Sequence, residues 1–173
     1  MKVITISGKA QAGKDTTARL LENKLKEEGR SVLIVHYADL LKYQAKTMFG
    51  WDGKKDKAGR SLLQHLGTDI VRGRNPNYWV DYVVDMLWIY YGQWDYVLIP
   101  DARFPNEIEA MKLEFDAISV KIESNYDNGL TEEQKNHPSE TALDDYVFDY
   151  VIYNDRTING LSWAIDDFIK KVG

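Results

Sequence analysis

The chain opens with a short β-branched run, Val3–Ser7 (VITIS), passes through Gly8-Lys9-Ala10-Gln11-Ala12-Gly13-Lys14, and continues with Ala18, Leu21 and Leu25 at helical spacing. A strand that enters a helix through a glycine loop restricts the fold more than any composition figure. It is the first half of a crossover unit, and crossovers join parallel strands. The alternation continues along the chain. Val32–His36 (VLIVH) reads as a strand buried on both faces, and Tyr96–Ile99, Ile118–Ile122 and Tyr150–Tyr153 as three more. Gly29 predicts the end of the first helix. The stripe Leu62, Leu63, Leu66, Ile70 is helical, and so is Val80, Val83, Val84, Leu87, with Asn75 as its expected cap and Pro76 in its first turn. Pro105 opens a helix running through Glu109 and Met111, and Leu161, Ile165, Phe168 and Val172 line the last one. The expected fold is α/β: a five-stranded parallel sheet between helical layers. Ligands of such sheets bind beyond the carboxyl ends of the strands.

The loop at the first of those ends has specific chemistry. Gly8 and Gly13-Lys14 reproduce the spacing G-x-x-x-x-G-K of a phosphate-binding loop. Its glycines let the backbone turn tightly and aim several N–H groups into one hollow, and the following helix adds its positive end. Gly8, Ala10, Ala12, Gly13, Lys14, Asp15, Thr16 and Thr17 are therefore the residues expected to hold a nucleotide's phosphates. Lys14 supplies the full charge. Thr16 or Thr17 supplies a hydroxyl for phosphate or for hydrated Mg2+. Asp15 stands where Ser or Thr usually follows the lysine. It either reaches Mg2+ through water or is a first-turn carboxylate that favours the helix dipole. The expected metal positions are thus Thr16 and Asp15.

The third strand ends in Pro100-Asp101-Ala102-Arg103-Phe104-Pro105-Asn106-Glu107. Asp101 at a strand's carboxyl end is placed to orient Mg2+ or accept a substrate hydroxyl, and Arg103 to fork onto a phosphate. Glu107 lies one helical turn beyond Arg103, close enough to pair with it. A plain cap and a surface ion pair are the structural alternative.

Composition sets limits on partners. At 173 residues the chain suits one domain of about 150 residues. It has no cysteine, hence no disulfide, thiolate metal site or cysteine nucleophile. With 22 basic and 27 acidic residues the net charge is −5, which gives no reason to expect nucleic acid or membrane binding. The longest uncharged run, Met86–Trp94, is far short of the ~20 residues that span a bilayer. The start, MKVITISGK, lacks the form of a signal peptide. The expected location is cytoplasmic.

Taken with SGKAQAGKDTTA, the stretches GRSLLQHLGTDIVRGRNPNYWV, YVLIPDARFPNEIEAM, HPSETAL and VIYND make the chain resemble the deoxynucleoside monophosphate kinases of tailed phages. These belong to the P-loop nucleoside monophosphate kinase superfamily. The resemblance spans nearly the whole chain, and the GKDTT sequence is closer to the GKGT of such kinases than to GK[ST]. It implies a three-layer P-loop fold that is one kinase domain over residues 1–173. It also implies a helical acceptor-binding region at about 40–92 and a lid-like loop at about 124–140. The implied reaction is transfer of the ATP γ-phosphoryl group, with Mg2+, to a deoxynucleoside monophosphate. The partners are small nucleotides, and a homodimer is compatible with them. Lys14, Asp15, Thr16, Arg60 and Arg103 become the catalytic group, and Trp79, Asp101 and Glu107 face the acceptor. Ala12 stands where relatives often carry Ser, and the segment from Leu40 to Arg60 is short, so the acceptor insertion is reduced. The alternatives are a P-loop kinase of another small acceptor, such as phosphomevalonate or a nucleoside, and a non-catalytic nucleotide-binding subunit. The second anion site around Arg103 weighs against the latter.

Other positions carry weaker signals. Lys54, Lys55 and Lys57 read as a solvated run, whereas Arg60 leads a helix that brings Gln64 to the same side. Arg72 and Arg74 are further candidates for the acceptor. Trp79 is either core or a platform for the acceptor base. The loop Asn125–Asn136 occupies the lid position but has only Lys135 as a cation. His137, Ser139 and Glu140 lack a third metal ligand and suggest a cap by Ser139 or a hinge. Asn154 and Asp155 follow the fifth strand, where the resemblance puts adenine; an ordinary turn is the alternative.

Overall fold

The computed structural model describes residues 1–54, 56–125 and 129–172. The chain forms two compact units, residues 1–35 with 91–173, and residues 36–90.

The first unit contains the sheet. Strands β1 (Lys2–Ser7), β2 (Val32–Ile34), β3 (Tyr96–Ala102), β4 (Ile118–Glu123) and β5 (Tyr150–Tyr153) lie in the order β2-β3-β1-β4-β5. Every pairing is parallel. Successive side chains of a strand face opposite sides. Ile4 and Ile6 of β1 join Leu98, Val120 and Ile122 in one core with α1 (Lys14–Glu27) and α8 (Ile158–Val172). Those helices contribute Leu21, Leu25, Leu161, Ile165 and Phe168, all nearly or fully buried. Helix α5 (Pro105–Phe115) also packs on β1, and its Ile108 and Met111 are fully buried. The sheet thus lies between helices, as the alternating periods predict. Glu28 caps α1, and Gly29 follows at φ +78° with Arg30 N–H bonded to the Leu25 carbonyl, the expected left-handed stop.

Strand β2 departs from expectation. It ends at Ile34 instead of His36, and its residues are only half-buried. It is an edge strand paired with β3 alone, so it lacks the two covered sides that its apolar run suggested.

Strand β3 runs longer than expected and contains an irregularity. Thr5 pairs with Ile99 but Ser7 with Ala102, so two steps along β1 match three along β3. The extra residue falls at Pro100–Asp101, where proline has no N–H to give the ladder. A bulge of this kind re-aims the side chains that follow it. Because β1 and β3 are neighbours, the glycine loop and the Asp101–Arg103 segment leave the sheet side by side.

The second unit is helical: α2 (Ala38–Met48), α3 (Lys57–Gln64), a π-helical stretch (His65–Arg72) and α4 (Tyr78–Ile89). Ala45, Trp51 and Leu66 form its centre, packed by Leu41, Leu62, Leu63 and Ile70. The single helix suggested by the 62–70 stripe instead widens into π geometry at His65. A side chain at Gly67 would press on Leu41 Cδ2 at 2.6 Å, so glycine lets α2 approach the wider turn. Helix α4 starts two residues later than expected. Asn77 is its cap, while Asn75 Oδ1 accepts the Asn77 N–H at 3.0 Å in a turn before the helix. Among the described residues, no helix is long and apolar enough to cross a membrane.

Candidate active site

The glycine loop is shaped by three positive φ angles: Gly8 at +147°, Gln11 at +62° and Gly13 at +101°. A Cβ at Gly8 would sit 2.5 Å from the Ile122 carbonyl, and one at Gly13 would collide with Asn154 Nδ2. Only glycine fits either place. Helix α1 begins immediately after Gly13, so the first-turn amides of α1, which have no partner within the helix, belong to this loop.

Lys14 is 8% exposed and folds back over the loop, donating to the Gly8 carbonyl at 2.8 Å and the Lys9 carbonyl at 2.9 Å. Burial is the main reason its pKa falls to about 8, and the nearby Arg103 guanidinium lowers it further. Glu140, Asp15 and Asp101 pull the other way. Arg103, from the neighbouring strand end, and the carboxylates of Glu140, Asp15 and Asp101 therefore all act on Lys14.

Thr16 is exposed in the first turn of α1, whereas Thr17 is 1% exposed and donates its hydroxyl to the Gly13 carbonyl at 3.0 Å. Of the two hydroxyls, Thr16 is the one left at the surface of the loop. Asp15 is exposed next to it. Among the described residues no group of three or more His, Cys, Asp or Glu is arranged to hold a metal ion. Mg2+ does not need such a cage, since it commonly takes one or two carboxylates with substrate phosphates and water. The exposed Asp15 and Thr16 suit that kind of site. Ser7 Oγ, at the end of β1 beside Gly8, is buried without a hydrogen-bond partner.

Several expected site residues have other work. Glu107 was expected at the acceptor and in a pair with Arg103. It is 2% exposed, and its Oε2 accepts the main-chain N–H groups of Arg103 at 2.5 Å and Phe104 at 3.0 Å. It holds the start of α5. The Arg103 guanidinium turns instead to Glu140 and to the Ser139 carbonyl, the latter at 3.0 Å. Asn154, expected at adenine, is 8% exposed; it donates to the Ala12 carbonyl at 2.9 Å and accepts the Arg156 N–H at 2.9 Å. It supports the loop from behind, as does Arg156 through the Gln11 carbonyl at 3.2 Å. Beyond α6 (Glu132–Lys135), the short helix α7 (Pro138–Thr141) is capped by His137, whose ring nitrogen accepts the Ser139 N–H, and not by Ser139.

Arg60, Gln64, Arg72 and Trp79 all belong to the second unit. Trp79 is core there: it is 3% exposed, and its indole N–H donates to the Gly67 carbonyl at 3.1 Å. Its faces are covered by protein, so it offers no platform to a base. Arg60 is exposed on α3, Gln64 half-buried one turn later, and Arg72 donates to the Pro76 carbonyl at 3.1 Å. Lys55, in the basic run, and residues 126–128 of the lid-like loop lie outside the described residues.

Sequence reasoning missed Glu140 as a site residue. Its carboxylate meets both the loop and Arg103. The sequence offered it only beside His137 in the HPSETAL stretch, as a pair without a third metal ligand.

The family model for deoxynucleotide monophosphate kinase matches residues 27–165. The match begins after the glycine loop, so loop and family are separate observations. No curated protein sequence matches the chain. Among solved structures, a thymidylate kinase from Ehrlichia chaffeensis is similar at 15% identity and TM-score 0.57, over 99% of this chain and 98% of that one. The APS kinase of Mycobacterium tuberculosis in complex with AMPPNP and APS is similar at 16% identity and TM-score 0.55, over 98% and 97%. A shikimate kinase from Aquifex aeolicus is similar at 11% and 0.53, over 98% and 95%. These likenesses establish the P-loop kinase fold.

Proposed function

We propose, for a chain that belongs to the deoxynucleotide monophosphate kinase family, that ATP is the phosphoryl donor, Mg2+ its companion ion and a deoxynucleoside monophosphate the acceptor. The observation that carries this reading is the cluster at the two neighbouring strand ends. A buried lysine on a glycine loop feels the charge of an arginine from the next strand. One anion site suffices for binding a nucleotide; a second cation beside it suits a reaction between two phosphates.

In this reading the loop amides and Lys14 hold the ATP polyphosphate, and Arg103 bridges toward the acceptor. An acceptor phosphate oxygen bonds to the γ-phosphorus as its bond to the β-bridging oxygen breaks, and ADP leaves. The acceptor is already an anion, so no strong general base is needed. Positioning and charge neutralisation do most of the work. Bound Mg2+ would supply further neutralisation of the β- and γ-oxygens, with Asp15 and Thr16 nearest to hold its water shell. Arg60, Gln64 and Arg72 are the proposed acceptor residues of the helical unit, and Asp101 orients either the ion or the acceptor sugar.

An ADP-release assay with ATP across deoxynucleoside and ribonucleoside monophosphates tests this. Acceptor-dependent ADP from at least one deoxynucleoside monophosphate is the expected result. ADP release only with phosphomevalonate-like or nucleoside acceptors, or none beyond slow hydrolysis, contradicts it.

A further inference from the structure

Glu140 sits where a ligand would. Its Oε2 accepts the Ala10 N–H of the glycine loop at 2.9 Å, and its Oε1 pairs with Arg103 Nη1. The carboxylate is nearly enclosed, its side chain only 7% exposed. The backbone around it is strapped to the same loop: Lys9 Nζ donates to the Glu140 carbonyl at 2.6 Å and pairs with Asp144. A main-chain N–H on a glycine loop together with a guanidinium fork is the donor set that recognises a phosphoryl oxygen.

An ordinary structural ion pair would explain Arg103 and Glu140 but not the loop amide. Carboxylate and phosphoryl oxygens compete for the same donors, and two anions at hydrogen-bonding distance repel strongly where water is excluded. We infer that Glu140 is an internal stand-in for a phosphoryl group: Ala10 N–H and Arg103 form an anion subsite that the chain fills with its own carboxylate until a phosphate displaces it. This deepens the kinase reading, because it locates one phosphoryl oxygen and assigns a cost to binding it. Beyond Glu140, segment 137–144 is tied to the loop by the Lys9–Asp144 pair, whose partners are each about half exposed, and such pairs hold weakly. Phosphate entry and release of this strap are therefore one event. The apparent affinity for phosphate ligands is reduced by the fraction of molecules in which Glu140 occupies the subsite.

The test is calorimetric binding to the native chain and to Glu140→Gln, with inorganic pyrophosphate, ATP and adenosine as separate probes and no acceptor present. Glutamine keeps the shape but drops the charge. Pyrophosphate and ATP are expected to bind the variant about tenfold more tightly, the size of losing a competitor that fills the site in about nine molecules of ten. Adenosine, which has no phosphate, is expected to change little. Asp144→Asn, which loosens the strap without touching the carboxylate, is expected to tighten both phosphate ligands by a smaller factor. Unchanged or weaker pyrophosphate binding in a folded Glu140→Gln chain overturns the inference and makes Glu140 a strut that shapes the loop. An equal gain for adenosine overturns it too. The pyrophosphate arm separates this inference from the kinase reading: tighter pyrophosphate with no ADP release on any monophosphate sinks the reading and leaves the subsite.

Discussion

The two neighbouring strand ends gather charged and polar groups in different ways. After β1, the backbone does it: two glycines at positive φ, a non-glycine at positive φ, a helix start and one buried lysine. After β3, side chains do it: Asp101 stands on the bulged strand, Arg103 just past its end and Glu107 in the first turn of α5, and the Arg103 guanidinium finds its partner far along the chain. A site made of main chain is written in consecutive residues. A site made of side chains depends on what folds against it. Arg103 looked free to meet Glu107 four residues away, yet its guanidinium binds Glu140, far downstream.

That contrast can be broken by mutation. The largest expected effect is at the main-chain site: Lys14→Ala should lower turnover by ~10²-fold or more, the scale of losing a preorganised charge contact. Steady-state kinetics checks it, and near-native turnover would remove the loop from catalysis.

A smaller effect should appear with pH. Lys14 has its pKa lowered to about 8, chiefly by burial. In the proposed reading ATP binds the protonated lysine better, so its phosphates should raise that pKa. ATP affinity is then expected to fall as pH climbs through about 8, and binding near that pH to take up protons. Calorimetry in buffers of different ionisation enthalpy measures the uptake. The stability sign follows from the same shift. Between about 8 and the ordinary lysine value of 10.5 the unfolded chain holds the proton that the folded chain has released. This group therefore adds stability as pH rises through that window. Lys14→Ala should abolish both effects, and proton uptake that survives the substitution would assign the shift elsewhere.

The smallest effect belongs to the side-chain end. Glu107→Ala removes the acceptor of two main-chain N–H groups at the start of α5. A lost cap costs about 1 kcal/mol, which in a chain of this size lowers the melting temperature by about 3 °C. Thermal unfolding checks it. An unchanged melting temperature would mean that Glu107 holds nothing in place.

The same contrast explains which features were legible. Strand positions were readable because VITIS, YVLI and YVIY need only short-range pattern, and the glycine loop because its spacing is its geometry. Strand β2 was misjudged because an apolar run does not reveal that it lies at an edge. Trp79 was left open between core and platform because a tryptophan on an apolar helix stripe looks the same whether it faces a base or the Gly67 carbonyl. Asn154 and Glu107 were placed at ligands because polar residues at strand ends are the ones ligands use. The structure engages them with main-chain groups of Ala12, Arg103 and Phe104. The π-helical stretch at His65–Arg72 left no mark on the apolar stripe. Glu140 was invisible as a site residue because its meaning comes entirely from the loop that it folds against.

The most direct test of the account is amide chemical-shift mapping with AMPPNP and then a deoxynucleoside monophosphate. The account predicts that the first ligand moves the amides of Ala10, Gly13, Lys14 and Asp15 most, and that Arg103 responds along with them. If the amides of the glycine loop stay in place while shifts gather on another face of the molecule, nucleotide binding at this loop is contradicted.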